Sequence, residues 1–242
     1  MSMPFYVAPE QVMKDRADYA RKGISRGRAM VAVRYVDGIA LVAENPSNTL
    51  RKISEIYDRI AFAGVGKYNE FDQLRVAGVR AADLKGYQYS RDDVDARSLA
   101  NQYAQILGQI FTHEMKPMEV EILVAEVGVA EVGVAQSGSD QTNGATNSGD
   151  QMFRILYDGT VMDEGSFCVL GGDAEAINTR LDGTVNADMT LSAAVRAAAT
   201  ALAGPDRTLT ADDLEAAVLA RSNGRRCFQR LDNAAVTASL AG

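Results

Sequence analysis

The side chains that could do chemistry are few and scattered in this sequence. The single histidine, His113, closes a helical pattern, and the two cysteines, Cys168 and Cys227, lie in separate apolar runs. Together they cannot build a Cys/His zinc site, which needs four ligands at close spacings. Acidic pairs at 92–93 and 212–213 stand at predicted helix starts, where capping accounts for them. We therefore expect no metal and no cofactor.

Common catalytic motifs are also absent. The sequence has no Gly-x-Gly-x-x-Gly, Walker A, Gly-x-Ser-x-Gly or His-Glu-x-x-His pattern. An N-terminal-nucleophile hydrolase would need Thr, Ser or Cys at the free amino terminus of its first strand, where the α-amine acts as base. Residues 27–33 (GRAMVAV) hold none of these, and a predicted helix separates Ser2 from the sheet. The sequence thus argues against catalysis by this chain alone.

Composition indicates a soluble globular protein. Of the 242 residues, 47% are hydrophobic and 24% are charged, which allows a sizeable core. The formal net charge of −7 disfavours general nucleic-acid binding, which needs a basic surface. No apolar run reaches the ~18 residues of a membrane span, and the start lacks a signal-peptide pattern. We expect a cytoplasmic protein whose two cysteines are buried free thiols.

An N-terminal helix is predicted over residues 9–22. Pro9 suits a first helical turn, and Gly23 after two basic residues suits a helix end. Met13, Ala17, Ala20 and Ile24 recur at helical spacing and form one apolar face. This face could pack on its own domain, or it could face another subunit or guard an opening.

Hairpins and helix pairs alternate along the rest of the chain. Asp-Gly or Asn-Gly pairs at 37–38, 158–159 and 223–224 separate apolar runs, as β-hairpin turns do. Strands are also predicted within 50–66 and over 120–130, and 160–171 is predicted as one strand. Helices are predicted over 69–84, 93–114, 174–181 and 190–203. The small, polar tail from Asp232 carries no predicted element.

This order predicts an α+β fold, a four-layer αββα sandwich of two antiparallel sheets. The hairpins exclude an all-parallel sheet, and the two helix pairs would cover the outer faces. No linker divides the chain, so residues 1–242 are expected to form a single domain. A VAEVG-VAEVG repeat from Val124 and a polar loop over 136–150 are predicted to form a hairpin tip and a surface loop.

Several ordered motifs resemble proteasome α-subunits of the actinobacterial type. They are PEQVMKDRADYARKGISRG, VAENPSNTLRKISEIYDRIAFAGVGKYNEFDQLR, RDDVDARSLANQYAQILGQIFT and MFRILYDG. The resemblance runs from Phe5 to Leu231, with an interruption over 130–150. It implies a non-catalytic member of the N-terminal-nucleophile hydrolase fold. Such a subunit forms a homo-heptameric outer ring of the 20S core particle (α7β7β7α7) and caps β-subunits that carry threonine protease sites.

The resemblance also implies a docking residue. Lys52 falls at the lysine of a pocket between adjacent α-subunits. That lysine pairs with the C-terminal carboxylate of an activator tail, contributed by an AAA+ ATPase ring that delivers unfolded or tagged proteins. A lysine in a partly desolvated groove is a suitable point charge for a lone carboxylate. Taken alone, the pattern around Lys52 indicates an exposed charge at a strand end.

Two further segments are implied to act at the pore. Residues 1–8 would form the gate, braced by Tyr6, Pro9 and Tyr19. The family's Tyr-Asp and Ser-Pro-Asp-Gly are replaced here by Tyr-Val and Ala-Pro-Glu-Gln. The segment Lys116-Pro117-Met118-Glu119 resembles the loop around the axial opening, where Lys116 and Glu119 would form charged collars in a ring.

Two other functions are open at this point. The chain could be a self-sufficient N-terminal-nucleophile hydrolase, or a ring-forming binding protein with the same fold.

Overall fold

The computed structural model describes residues 8–47, 49–128 and 149–242. Within them lie six α-helices and ten β-strands. The helices are α1 Pro9–Ser25, α2 Tyr68–Gln88, α3 Ala96–His113, α4 Ala174–Leu181, α5 Leu191–Ala203 and α6 Asn233–Ala241. The strands are β1 Met30–Tyr35, β2 Gly38–Glu44, β3 Ile53–Tyr57, β4 Ile60–Gly66, β5 Val120–Glu126, β6 Gln151–Ile155, β7 Val161–Asp163, β8 Phe167–Leu170, β9 Leu214–Ala220 and β10 Phe228–Arg230.

The strands form two five-stranded antiparallel sheets. The first sheet has the order β10-β9-β2-β1-β8, and the second has the order β3-β4-β5-β6-β7. In β1, Val31 and Val33 pack with the helices α4–α6, while Met30 and Ala32 face the other sheet. The outer face of the second sheet packs on α2 and α3. The predicted α+β class and αββα sandwich are confirmed.

The first hairpin turns one residue earlier than predicted. Tyr35 pairs with Gly38, so the two loop residues are Val36 and Asp37. Gly38 instead lies in β2, where an added Cβ would stand 1.9 Å from the Leu219 carbonyl oxygen. The glycine is therefore required by the close approach of β9, not by the turn.

The predicted strand 160–171 is wrong, because the structure divides this run between the two sheets. β7 pairs with β6 in the second sheet, whereas β8 pairs with β1 in the first. The chain crosses over residues 164–166. Both pieces have the composition of a strand, and a periodic pattern does not say which sheet each piece joins.

The tail from Asp232, for which no element is predicted, forms α6. The Asp232 carboxylate caps this helix by accepting from the Ala235 N–H at 2.8 Å, and Val236 is buried in the cluster of α4 and α5. Its alanine-rich composition favours a helix, but it lacks a clear apolar stripe.

Several other predictions are confirmed with small shifts of boundary. α4 covers the predicted residues, and Thr190 caps α5 by accepting from the Ala193 N–H at 3.3 Å. α1 continues past Gly23 to Ser25. Cys168 and Cys227 are buried free thiols. Most of the predicted repeat and polar loop lies at 129–148, outside the described residues.

Candidate functional site

A buried carboxylate fixes the backbone of Lys52, which stands just before β3. Glu215 of β9 accepts from the Lys52 N–H at 2.9 Å and from the Ile53 N–H at 3.2 Å. The same carboxylate accepts from Asn45 Nδ2 at 2.7 Å and pairs with Arg230 at 2.5 Å. Glu215 is only 2% exposed, so these contacts replace its lost hydration.

The Lys52 amine lies against the main chain of the first sheet. Its Nζ donates to the Arg28 carbonyl at 2.7 Å and to the Glu44 carbonyl at 3.1 Å. Burial lowers the pKa of Lys52 to about 8; the charge of Arg28 adds to this, while Glu44 and Glu215 oppose it. The amine is therefore still mostly protonated at neutral pH. A lysine has three N–H donors, and the described residues accept from two of them.

Among the described residues Lys52 forms no ion pair, because arginines hold the neighbouring carboxylates. Arg207 contacts both oxygens of Glu44, at 3.0 and 3.2 Å, and Arg28 stands 3.9 Å from the same carboxylate. Arg230 holds one oxygen of Glu215 through Nη1 and donates from Nη2 to the Ile53 carbonyl. The site thus holds a protonated amine that lacks a counter-charge within these residues.

An open cleft of about 400 Å³ is lined by Arg28 and Glu44, the two residues whose carbonyl groups Lys52 Nζ contacts, but not by Lys52 itself. Its walls come from the segment before β1, the end of β2 and the ends of α4 and α5, and they include Arg28, Glu44, Arg180 and Arg207. The walls also include Asp173 and Asp206, so three arginines are matched by three acidic residues, and the group that suits an added carboxylate is the Lys52 amine.

The start of β1 offers no nucleophile. Ala29 and Met30 are buried there, and residues 27–33 contain no Thr, Ser or Cys. Cys168 lies opposite Ala32 on the neighbouring strand, but complete burial strongly raises the pKa of its thiol. This thiol is therefore not activated for attack.

α1 is anchored on the end of α3. Arg16 Nη1 donates to the Phe111 and Thr112 carbonyls at 2.6 and 3.1 Å, and these groups belong to the last turn of α3. On the predicted apolar face of α1, Ala20 and Ile24 are buried, whereas Met13 is 37% exposed. Ala17 is partly buried against the same cluster, so Met13 is the residue of that face that is left exposed.

The two predicted gate residues within the described range, Pro9 and Tyr19, lie at separate places on α1. Pro9 is the first residue of α1. Tyr19 lies ten positions later on the same helix, about 15 Å away at 1.5 Å per residue. Tyr19 is 48% exposed, and its ring centre is 5.7 Å from Lys116 Nζ. Tyr6 lies outside the described residues.

The predicted pore loop is an ion-paired turn on the start of α2. Lys116 Nζ contacts Glu70 at 2.7 Å and Glu119 at 3.1 Å, and Glu70 also accepts from the Glu119 N–H at 2.7 Å. Pro117 is buried and Met118 is half-buried. The charges of Lys116 and Glu119 are therefore paired within one chain, and the charged collars of a ring stay a prediction.

Charge balance in this turn is opposite to that at Lys52. Burial works against the charged form of Lys116, but the hydrogen bonds and charges of Glu70 and Glu119 outweigh it and raise the pKa of Lys116 above its usual range. Burial also works against the charge of Glu70, yet Lys116 and the Glu119 N–H hold its pKa below the usual range.

Gly23 brings α1 against this turn. A Cβ added at Gly23 would stand 2.3 Å from Glu119 Oε1 and 2.8 Å from Glu119 Cβ. The glycine therefore permits close packing in the last turns of α1, where the sequence indicated a helix end.

Sequence reasoning missed the residues that prepare Lys52. Glu215 is the one charged residue of the strand LEAAVLA, and an isolated charge in such a run is a usable sign of a buried polar role. Arg207 lies in a polar stretch between α5 and β9, where nothing distinguishes it from an ordinary surface charge.

Two kinds of feature are absent from the described residues, a cluster of metal ligands and a membrane-spanning helix. These residues contain no group of three or more His, Cys, Asp or Glu side chains placed to hold a metal ion. Their helices include none with the length and apolar character that a membrane span needs.

Comparison with known proteins gives a consistent result. The family described as Proteasome subunit matches residues 24–219. A protein of Acidimicrobium ferrooxidans named Proteasome subunit alpha is 61% identical over 232 residues, which cover 96% of this chain and 93% of the relative. Relatives with the same name from Sanguibacter keddieii and Kineococcus radiotolerans are 56% and 52% identical, over 96% and 100% of this chain and 86% and 99% of the relatives.

The chain therefore belongs to the proteasome subunit family. Within that family it is of the α type found in actinobacteria, a component of the proteasome core particle that assembles with other subunits.

Proposed function

We propose that this chain forms the heptameric outer ring of a 20S core particle (α7β7β7α7) and is not itself catalytic. Each ring would cap β-subunits that carry the threonine protease sites. The missing nucleophile over residues 27–33 supports this role. We further infer that residues 1–242 act as one α-type domain, and that it works in the cytoplasm, where two free thiols stay reduced.

Lys52 would dock an AAA+ ATPase through the C-terminal carboxylates of its tails. The observation that carries this proposal is the half-buried Lys52 amine, whose neighbouring carboxylates are held by arginines. Because the fold already meets the cost of desolvating this amine, an arriving carboxylate gains a strong partner. The cleft beside Arg28 and Glu44 leaves room for the tail. The ATPase would deliver unfolded or tagged proteins to the chamber.

The segment 1–8 would close the axial pore, with α1 as its support. Arg16 ties α1 to α3, and Gly23 seats it on Glu119 of the predicted pore loop. A change in the position of α1 would therefore be felt in the turn at 116–119.

Tail binding to the assembled particle tests the docking role. The probe is a fluorescent peptide that copies the last ten residues of the partner ATPase, with the C-terminal amide as negative control. Lys52→Met should weaken binding by about 30-fold or more, because a desolvated charge pair is lost. Lys52→Arg should keep much of the affinity. Lys85→Met is the matched control, because it removes a lysine of α2 that pairs with Asp95, the residue before α3. Unchanged binding in Lys52→Met would refute docking at this residue.

Peptide hydrolysis tests the other two parts of the proposal. The purified chain alone should not cleave fluorogenic peptides, and cleavage should appear when it is mixed with its β-subunit. Deletion of residues 1–8 should then speed cleavage by the assembled particle. Strong hydrolysis by the chain alone would favour a self-sufficient hydrolase, and no association with a β-subunit would favour a ring-forming binding protein. Unchanged rates after the deletion would mean that residues 1–8 are not the gate.

A further inference from the structure

Arg207 connects the end of α5 to the end of β2. Its Nη2 donates to the Leu202 carbonyl at 2.9 Å and its Nε to the Ala203 carbonyl at 3.3 Å, both in the last turn of α5. Its two terminal nitrogens also hold both oxygens of Glu44. This planar fork fixes the direction of the Glu44 carboxylate, which a single lysine could not do.

Glu44 contacts Lys52 through its main chain and turns its side chain elsewhere. The Glu44 carbonyl accepts from Lys52 Nζ at 3.1 Å. Because the amine lies at the backbone of Glu44, a rotation of the Glu44 side chain could bring its carboxylate to Lys52 Nζ and form a lysine–glutamate ion pair. The described residues show no such pair, because the carboxylate lies on Arg207 instead.

We propose that Arg207 is a positioning residue for Lys52: it clamps the Glu44 carboxylate and so prevents an internal ion pair with the amine. The amine then stays available to a carboxylate from another chain. This inference rests on the proposed docking role of Lys52, which it extends to a second and a third residue.

The other charged groups around Lys52 could not replace this clamp. Glu215 is saturated by Arg230, Asn45 and two main-chain N–H groups. Arg28 stands 3.9 Å from one oxygen of Glu44, whereas Arg207 holds the two oxygens at 3.0 and 3.2 Å, so Arg28 is the weaker partner. Without Arg207, the half-buried amine would attract the Glu44 carboxylate more strongly than Arg28 does, since charges interact more strongly away from water.

Competitive labelling tests the clamp without any ligand. Trace acetic anhydride is added to assembled particles at a series of pH values, and mass spectrometry of the Lys52 peptide gives the pKa of its amine. Arg207→Ala should raise the pKa of Lys52 by about one unit or more, because a new carboxylate neighbour stabilises the charged form. The tail peptide described above should bind Arg207→Ala about tenfold more weakly, since an interaction of one pKa unit corresponds to that factor.

Removal of the carboxylate should reverse both effects. The double variant Arg207→Ala with Glu44→Gln should match Glu44→Gln alone in the pKa of Lys52 and in tail affinity. This comparison holds even where Arg207→Ala by itself assembles poorly. Arg226→Ala is the matched control, because it deletes an exposed fork-like arginine from Glu55 and should leave Lys52 unchanged.

The outcomes separate this inference from the docking role. An unchanged pKa of Lys52 in Arg207→Ala, or a rise that Glu44→Gln does not reverse, would overturn the clamp. A reversible rise supports the clamp even where the tail peptide binds no variant, and that second result would refute docking alone.

Discussion

Lys52 and Lys116 are both singled out by the sequence, yet the structure places them in opposite environments. Lys52 Nζ donates to two main-chain carbonyls, whereas Lys116 Nζ contacts two carboxylates. The pKa of Lys52 is lowered to about 8, and the pKa of Lys116 is raised. Only Lys52 can therefore gain a carboxylate without giving one up.

Arginines account for this difference. The carboxylates near Lys52 are held by Arg207 and Arg230, which occupy them in fixed directions. Among the described residues the cationic partners of Glu70 are both lysines, Lys116 at 2.7 Å and Lys67 at 3.4 Å, so Lys116 serves as its counter-charge. A lysine is thus prepared for an external anion when arginines satisfy the nearby acids, and becomes part of the framework when they do not.

The largest effect is expected from Glu215→Gln. This change leaves Arg230 without its counter-charge and weakens the bonds to the Lys52 and Ile53 N–H groups. The free energy of unfolding should fall by about 3 kcal/mol, as when one partner of a buried ion pair is removed. Denaturant unfolding of the chain measures this fall. Glu55→Gln, which breaks an exposed pair with Arg226, should cost less than about 1 kcal/mol. Equal losses would mean that Glu215 is not a structural anchor.

Glu70→Ala should have the next largest effect, on the Lys116 side of the comparison. It leaves the Glu119 N–H without its acceptor and the Lys116 amine with Glu119 as its carboxylate partner, and the cost should be about 2 kcal/mol of unfolding free energy. Tail binding at Lys52 should not change. Asp72→Ala removes an i,i+3 pair with Arg75 on the same helix and should cost only about 0.5 kcal/mol. A loss of tail binding in Glu70→Ala would show that the two lysines are coupled.

Tail binding should depend on pH through the lowered pKa of Lys52, whereas the raised pKa of Lys116 would give no change between pH 7 and 9.5. A bound carboxylate raises the pKa of Lys52 above its free value of about 8, so binding is linked to proton uptake. Affinity should be full below pH 8 and should fall by about tenfold per pH unit above it, until the pKa of the bound state is reached. Fluorescence anisotropy at pH 7 to 9.5 measures this. The arginine of Lys52→Arg stays charged throughout, so the tail affinity of this variant should not change between pH 7 and 9.5. An affinity that does not change with pH in the unmodified chain would mean that the tail carboxylate does not bind at Lys52.

Much of the fold could be predicted from local patterns. Alternating apolar runs around Asp-Gly and Asn-Gly pairs gave the hairpins, and helical spacing gave α2 to α5. The crossing between β7 and β8 and the helix α6 were missed, because neither leaves a periodic signal. The local pattern indicates a helix end at Gly23 and a turn at Gly38. The structure explains Gly23 by its close contact with Glu119 and Gly38 by its close contact with Leu219.

The candidate site was less predictable. The motif around Lys52 identified the lysine, but its function depends on Glu44, Glu215 and Arg207, which come from three other segments. Residues so far apart are brought together by the sheet order β9-β2-β1 and the sheet-to-sheet contact with β3. One sequence contains no local record of that arrangement.

The smallest effect is expected from Tyr19, which supplies the remaining contact of Lys116. The lysine lies 5.7 Å from the ring centre, in the range of a weak cation–π interaction. Tyr19→Leu should lower the free energy of unfolding by about 0.5 kcal/mol, and Tyr19→Phe should not, because it keeps the ring. A double-mutant cycle with Lys116→Met isolates the pair from other losses. A coupling of zero would leave Tyr19 available for contacts outside its own chain, and a measurable coupling would make it part of the framework that holds α1 against the turn at 116–119.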